Sequence, residues 1–234
     1  MSTEHKKKEE AAIPLDIYIK KITDFYEEKK KVINISTTAF VVVAALILAY
    51  FLYWIPKKQQ EAAVAIFKAE RYFGMDSLRL ALDGDGVNDG LLFVIDKYGN
   101  TKDGNRAKYM AGICYLKLGQ YNEAISYLKK FRSQNKLVSV QALGAIGDAY
   151  MENNDINNAV KYYKKAVSKN QNDLVTPVFL WKLGLAYDMQ GNWKEALSCF
   201  ETLQQEYFQS GYNQLPEVMD AEKRIAFLKE KIGK

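Results

Sequence analysis

"AGICYLKLGQYNEAISYLKKF" fills residues 111–131, and its pattern returns twice further along the chain. The second copy is "AIGDAYMENNDINNAVKYYKKA" at 145–166 and the third is "KLGLAYDMQGNWKEALSCFETL" at 182–203. Gly112, Gly147 and Gly184 correspond, 35 and then 37 residues apart. So do Tyr115, Tyr150 and Tyr187, then Ala124, Ala159 and Ala196, then the bulky Leu128, Tyr163 and Phe200. Gly119, Asn154 and Gly191 fall between the two apolar-periodic runs of each copy, where a residue tolerant of positive φ suits a tight turn. Recurrence at this period marks a supersecondary unit that hides its apolar face only by stacking on its neighbours.

Each copy reads as two amphipathic helices joined by that turn. The small residues let the paired helices approach closely, and the large ones are expected to fill the gap between one pair and the next. Period and pattern resemble the tetratricopeptide repeat over residues 105–210. The resemblance implies an all-α fold, an α-solenoid whose concave groove is lined by the first helix of each pair. On the matching positions the groove would display Arg106, Tyr109, Ile113, Leu116 and Lys117 from the first repeat. Gln141, Asp148, Met151 and Glu152 would come from the second, and Trp181, Leu185, Asp188 and Met189 from the third. In relatives that clamp chaperone tails, polar residues occupy the places held here by Tyr109, Ile113 and Leu116. The apolar and Met-rich lining suits a helix or an extended apolar segment instead.

On either side the repeats fade. Residues 57–104 read as a degenerate helix pair around a loop, "LALDGDGVNDGLLFVIDKYG", whose acidic, glycine-rich centre looks like a ligand site. It does not have the composition of one. A calcium loop needs an oxygen ligand where Val87 stands and Gly where Asn88 stands. A dinucleotide fingerprint needs its third Gly at Asp89. The stretch is expected to be a connection in which glycine supplies positive φ, with Gly99 capping the short helix after it. The repeats are expected over 105–212. In 213–234, Val218, Ala221, Ile225, Leu228 and Ile232 recur by three and four, as in a terminal capping helix.

Composition narrows the chemistry. Residues 57–234 carry 25 Lys and Arg against 21 Asp and Glu, too even a mixture for a nucleic-acid footprint. Cys114 and Cys199 sit inside apolar-periodic helices and are expected to be buried free thiols. His5, the only histidine, lies in a charged tail. Neither a zinc site nor a Ser/His/Asp or Cys/His set can be assembled from these residues. The sequence therefore predicts a protein that is not an enzyme and takes no metal, cofactor or small-molecule ligand.

A different solvent is implied by "KKKVINISTTAFVVVAALILAYFLYWIPKK" at 29–58. No charge appears from Val32 to Ile55, 24 residues. As a helix this is about 36 Å, enough for a hydrocarbon core of about 30 Å. Residues 32–56 read as a single transmembrane anchor, with Val41, Leu46, Leu48, Phe51 and Trp54 among its apolar surface and Pro56 placed to bend the chain after it. The bulky FLYWI end lacks a signal-peptidase site, so the segment is expected to stay attached. Residues 1–12 are polar and expected to be disordered. Residues 13–31 read as an amphipathic interfacial helix, with Leu15, Tyr18, Ile22 and Phe25 on one face. That face rests on a membrane surface or docks on a membrane partner. Lys20, Lys21 and Lys29–Lys31 outweigh Lys57, Lys58, Lys68 and Arg71 narrowly, favouring a cytoplasmic N-terminus.

The layout of an F-Y-E-E-x-K stretch (Phe25 to Lys30), one anchor, a helix and a few repeats resembles the YfgM family of bacterial inner-membrane proteins. That resemblance implies a periplasmic repeat domain and an ancillary, non-catalytic role at the SecYEG translocon beside a PpiD-like chaperone. Two other plans share the layout: a cytosol-facing import receptor, and a scaffold of another cell-envelope complex.

Overall fold

The computed structural model describes residues 15–169, 175–207 and 216–233, with the side chains of 216–219 left aside. The expected disordered tail, residue Pro14 and the side chain of Val218 therefore lie outside the described residues. The chain divides into two compact units, residues 1–56 and 57–234. All described elements are helical.

In the first unit, α1 spans Leu15–Ala49 and buries none of its residues. The expected boundary between an interfacial helix ending at 31 and an anchor starting at 32 has no counterpart: α1 passes through it. Lys29–Val32 contains no Gly or Pro that would break a helix. The irregularity comes later, at Tyr50–Trp54, where Ile55 N–H bonds the Tyr50 carbonyl five residues back in a π-helical turn. It sits just before Pro56, which has no N–H to offer the Leu52 carbonyl. Ser36, Thr37 and Thr38 turn their hydroxyls onto the carbonyls of Ile33 and Asn34, at 2.8–3.0 Å. These three hydroxyls are thus satisfied within the helix.

In the second unit, α2 (Ile55–Gly74), α3 (Leu78–Asp83) and α4 (Leu91–Tyr98) precede the regular pairs. Ala62, Ile66 and Ala69 of α2 share a core with Leu82, Leu91, Val94 and Ala111. The acidic loop between α3 and α4 closes on itself through a bridge between Gly84 and Asp89. The Asp85 carboxylate accepts from Val87 N–H, Asn88 N–H, the Asn88 amide and Tyr72 hydroxyl, at 2.6–2.9 Å. Its pKa is lowered by these bonds, Tyr72 first. The carboxylate is a latch that ties the loop to α2. Gly84 and Gly86 take φ of +86° and +87°, whereas Gly99 caps α4 in the right-handed region and did not need to be glycine for its φ.

Three helix pairs follow: α5 (Lys102–Lys117) with α6 (Tyr121–Lys130), α7 (Lys136–Glu152) with α8 (Ile156–Lys169), and α9 (Thr176–Met189) with α10 (Trp193–Thr202). Gly119, Asn154 and Gly191 adopt φ of 74°, 60° and 75°. At each turn a backbone N–H returns to the repeated tyrosine: Gln120 to Tyr115, Asp155 to Tyr150, Asn192 to Tyr187, all 2.9 Å. This is the Schellman geometry that ends a helix on a left-handed residue.

The bulky repeat positions correct one expectation. A Cβ added to Gly112, Gly147 or Gly184 would stand 2.5, 2.5 or 2.7 Å from Leu128, Tyr163 or Phe200 of the same pair. These side chains therefore fill the space inside a pair, because only a glycine opposite leaves room for them. The gap between pairs is filled differently. Phe179 of α9 lies on Gly144 of α7, so close that a Cβ there would overlap its ring. After a π-helical turn at Leu203–Tyr207, α11 (Pro216–Ile232) buries Ala221, Ile225 and Leu228 against Leu180, Ala196 and Phe200. It covers the last pair as a capping helix would.

Candidate functional site: the groove between α5, α7 and α9

The first helices of the three pairs bring side chains from distant sequence positions around an open cavity of about 480 Å³. Leu116 comes from α5, Asp148, Met151 and Glu152 from α7, and Lys182, Leu185 and Met189 from α9, with Tyr121 and Tyr163 from the second helices. Successive turns of α7 place 148, 151 and 152 on one side, which faces both neighbours.

Two of the three charges here compensate each other, while the Glu152 carboxylate accepts only from the Tyr121 hydroxyl, at 3.5 Å. Lys182 Nζ lies 2.7 and 2.8 Å from the two Asp148 carboxylate oxygens, and the Tyr163 hydroxyl donates to Asp148 Oδ1 at 2.7 Å. Burial, then the Asp148 charge, raises the Tyr163 pKa, so it remains a donor at neutral pH. Asp148 is thus committed to two partners and is poorly placed as a general base. The contact surface left over is Leu116, Met151, Leu185 and Met189; Met189 is 61 % exposed. Flexible thioethers on an open wall adapt to varied apolar partners.

Of the residues expected in the groove, Leu116, Asp148, Met151, Glu152, Leu185 and Met189 line this cavity, and the others are engaged elsewhere. Arg106 pairs with Glu70 and Asp103 at 3.1 Å, and Lys117 with Asp76 at 2.6 Å. Tyr109 packs on Phe131 with ring centres 5.2 Å apart, and Ile113 packs in the cluster of Leu128, Ala145 and Ile146. Trp181 meets Phe200 edge-on at 5.0 Å. Asp188 is held by Arg224 and Lys231 of α11, at 3.6 and 3.8 Å. Gln141 is exposed outside the cavity. Tyr121, Tyr163 and Lys182 were missed as groove residues. Two of them had a signal: Lys182 stands where the other copies carry Met110 and Ala145, and Tyr163 where they carry Leu128 and Phe200. A polar atom in an otherwise apolar register points to a polar partner.

Cys114 and Cys199 are free and buried, and burial pushes both thiols up to about 11. Among the described residues no cluster of His, Cys, Asp and Glu could hold a metal ion. Leu15, Tyr18, Ile22 and Phe25, expected on one face of the first segment, and Val41, Leu46, Leu48, Phe51 and Trp54, expected in the anchor, lie on α1 and the π-helical turn after it and are all exposed, between 52 and 73 %. The helical run containing them is long and apolar enough to cross a membrane.

No curated protein matches this chain. Residues 106–136 and 179–210 match one model of the tetratricopeptide repeat, and residues 140–173 match another. The three matches fall on the three helix pairs, so the region from α5 to α10 carries tetratricopeptide repeats, a module whose role is protein–protein interaction.

Proposed function

We propose that this chain is a membrane-anchored repeat protein that holds polypeptide segments beside a membrane, as a non-catalytic ancillary subunit or chaperone adaptor of the Sec translocon. The observation that carries the binding half is the cavity of Leu116, Met151, Leu185 and Met189, whose charged neighbours Asp148 and Lys182 satisfy each other. Such a surface offers apolar area and adaptability, with the Glu152 carboxylate as its one uncompensated charge, which fits a carrier of diverse apolar segments. The membrane half rests on α1. An apolar surface this large is unfavourable in water, at roughly 25 cal/mol per Å². Residues 32–56 are its anchor, and residues 13–31 carry the face that meets the membrane surface or a membrane partner. Tethering then raises the concentration of the groove near emerging chains, so weak contacts suffice.

The lysine excess before the anchor favours a cytoplasmic N-terminus with the repeats across the membrane, and the family resemblance implies that this membrane is a bacterial inner membrane and that compartment the periplasm. The resemblance to the YfgM family names SecYEG and a PpiD-like chaperone as the partners. Purification of the full chain in mild detergent tests this reading. Recovery of SecY and SecE with it is the expected result. Recovery of a different envelope assembly, or of an import pore, would replace the translocon with that complex.

A further inference from the structure

A second concave surface lies on the other side of α7. Ser139, Ala142, Leu143 and Ile146 floor a cleft of about 330 Å³ between α6 and α8. At about 100° per residue, positions 142, 143 and 146 lie roughly opposite 148 and 152, which face the groove. The two surfaces are therefore separate sites.

The rim is basic. Lys129, Arg132, Lys165 and Lys169 all line this cleft, and no acidic residue does. Elsewhere in the repeat unit Arg106, Lys117, Lys182, Arg224 and Lys229 sit in ion pairs, whereas Lys130, Lys136, Lys161 and Lys194 have no carboxylate partner among the described residues, so what marks this cleft is four cations gathered on it without an acid. Among the described residues, no carboxylate pairs with any of the four rim cations. Lys129 and Lys169 occupy the last turns of α6 and α8, where a cation offsets the helix dipole. Arg132, just past the end of α6, also serves that helix end through the carbonyls it bonds. Lys165 lies outside those turns, so dipole compensation does not account for it. Three of the four also have a fixed contact. Lys129 Nζ donates to the Tyr150 hydroxyl at 2.6 Å and lies 5.1 and 5.6 Å from the ring centres of Tyr150 and Tyr162. Lys165 Nζ lies 4.8 Å from the ring centre of Tyr162. One guanidinium nitrogen of Arg132 donates to the carbonyls of Lys129 and Phe131. The floor beneath is apolar, formed by Leu128, Leu143 and Ile146 with the edge of Tyr162.

We infer that this cleft binds an acidic segment of a partner polypeptide, in which carboxylates flank a large apolar side chain. The carboxylates meet the four cations and the apolar side chain enters the floor. A bare anion would leave the floor empty, and an uncharged apolar segment would leave four unpaired cations at the rim. The inference does not depend on what the groove holds.

The full chain in phosphatidylcholine nanodiscs can be titrated into a short fluorescein-labelled peptide with Asp and Glu around two Phe. Its twin carries Asn and Gln instead. The acidic peptide is expected to bind at least about tenfold tighter than the twin, and to weaken as salt shortens the screening length. The exposed pair Lys165→Glu and Lys169→Glu should lose at least about tenfold in affinity while the repeats still melt in one cooperative transition. Met151→Glu in the groove should leave this binding as it was. Equal binding of the two peptides, no binding, or indifference to the charge reversal would overturn the inference. So would a charge reversal that abolishes only adhesion to phosphatidylglycerol vesicles, which would assign the cleft to lipid headgroups.

Discussion

Helix α1 and the repeat helices use the same class of residue to opposite ends. From Phe40 to Trp54 the large side chains of Phe40, Leu46, Leu52 and Trp54 are 63–75 % exposed. In the repeats Leu128, Tyr163, Phe200 and Leu203 are at most 2 % exposed. The difference lies in what stands opposite. Leu128, Tyr163 and Phe200 each face a Gly on the paired helix, so backbones approach and water is excluded. α1 has no such partner in its own unit and from Val32 onward carries no charge on any side, which suits lipid rather than a core. The repeats are thus held by packing, while the exposed apolar surface of the N-terminal helical run makes it a candidate membrane span.

Breaking each side of that contrast should give separable effects. The largest is expected for Leu46→Arg with Leu48→Arg. Each charge near the centre of a span costs about 2.5–3.5 kcal/mol of insertion, so the pair costs roughly 5–7. The variant should leave the membrane fraction on carbonate extraction, with the melting transition of the repeats unmoved. Retention in the membrane would mean that α1 is held by something other than lipid. On the packing side, Phe200→Ala should cost about 3–5 kcal/mol in denaturant unfolding, with no change in membrane retention.

A smaller effect sharpens the argument about close approach. Gly144→Ala should destabilise by about 1–3 kcal/mol, since its Cβ would enter the Phe179 ring. Gly74→Ala at the end of α2 meets nothing within 4 Å and should be neutral or stabilising by up to about 1 kcal/mol. If both behaved alike, the gap between pairs would not be set by that contact. The smallest effect is chemical. Both thiols are raised from 9.0 to about 11 by burial, so the fold favours their neutral form. That contribution is full below pH 9 and is lost as pH rises through 11. The protein with Cys114→Ala and Cys199→Ala should therefore lose less of its melting temperature over that range than the parent. An impermeant maleimide at pH 8 should spare both thiols yet label Gln60→Cys from the side on which the repeats lie.

Much of the repeat unit was legible because its rules are local or strictly periodic. Gly119, Asn154 and Gly191 announce left-handed turns, and Gly112, Gly147 and Gly184 announce close approach, each within a short window. What escaped depends on neighbours far along the chain. Trp181 and Asp188 follow the repeat pattern of groove residues, but α10 and α11 cover them. Leu128, Tyr163 and Phe200 look like spacers between pairs until the glycine opposite each is seen to be in its own pair. The continuity of α1 through Lys31 was hidden by the change from amphipathic to uniformly apolar composition, which alters the surroundings of a helix without ending it.

The central claim, that the groove between α5, α7 and α9 receives polypeptide beside a membrane, is tested most directly by crosslinking in native membranes. A photoreactive residue at Met151 or Met189 would sit inside the cavity, and one at exposed Lys161 on α8 would sit outside it. Adducts with translocon subunits or with nascent exported chains from the two groove positions, and none from Lys161, are the predicted result. No adduct from the groove, or equal yields from all three positions, would contradict it.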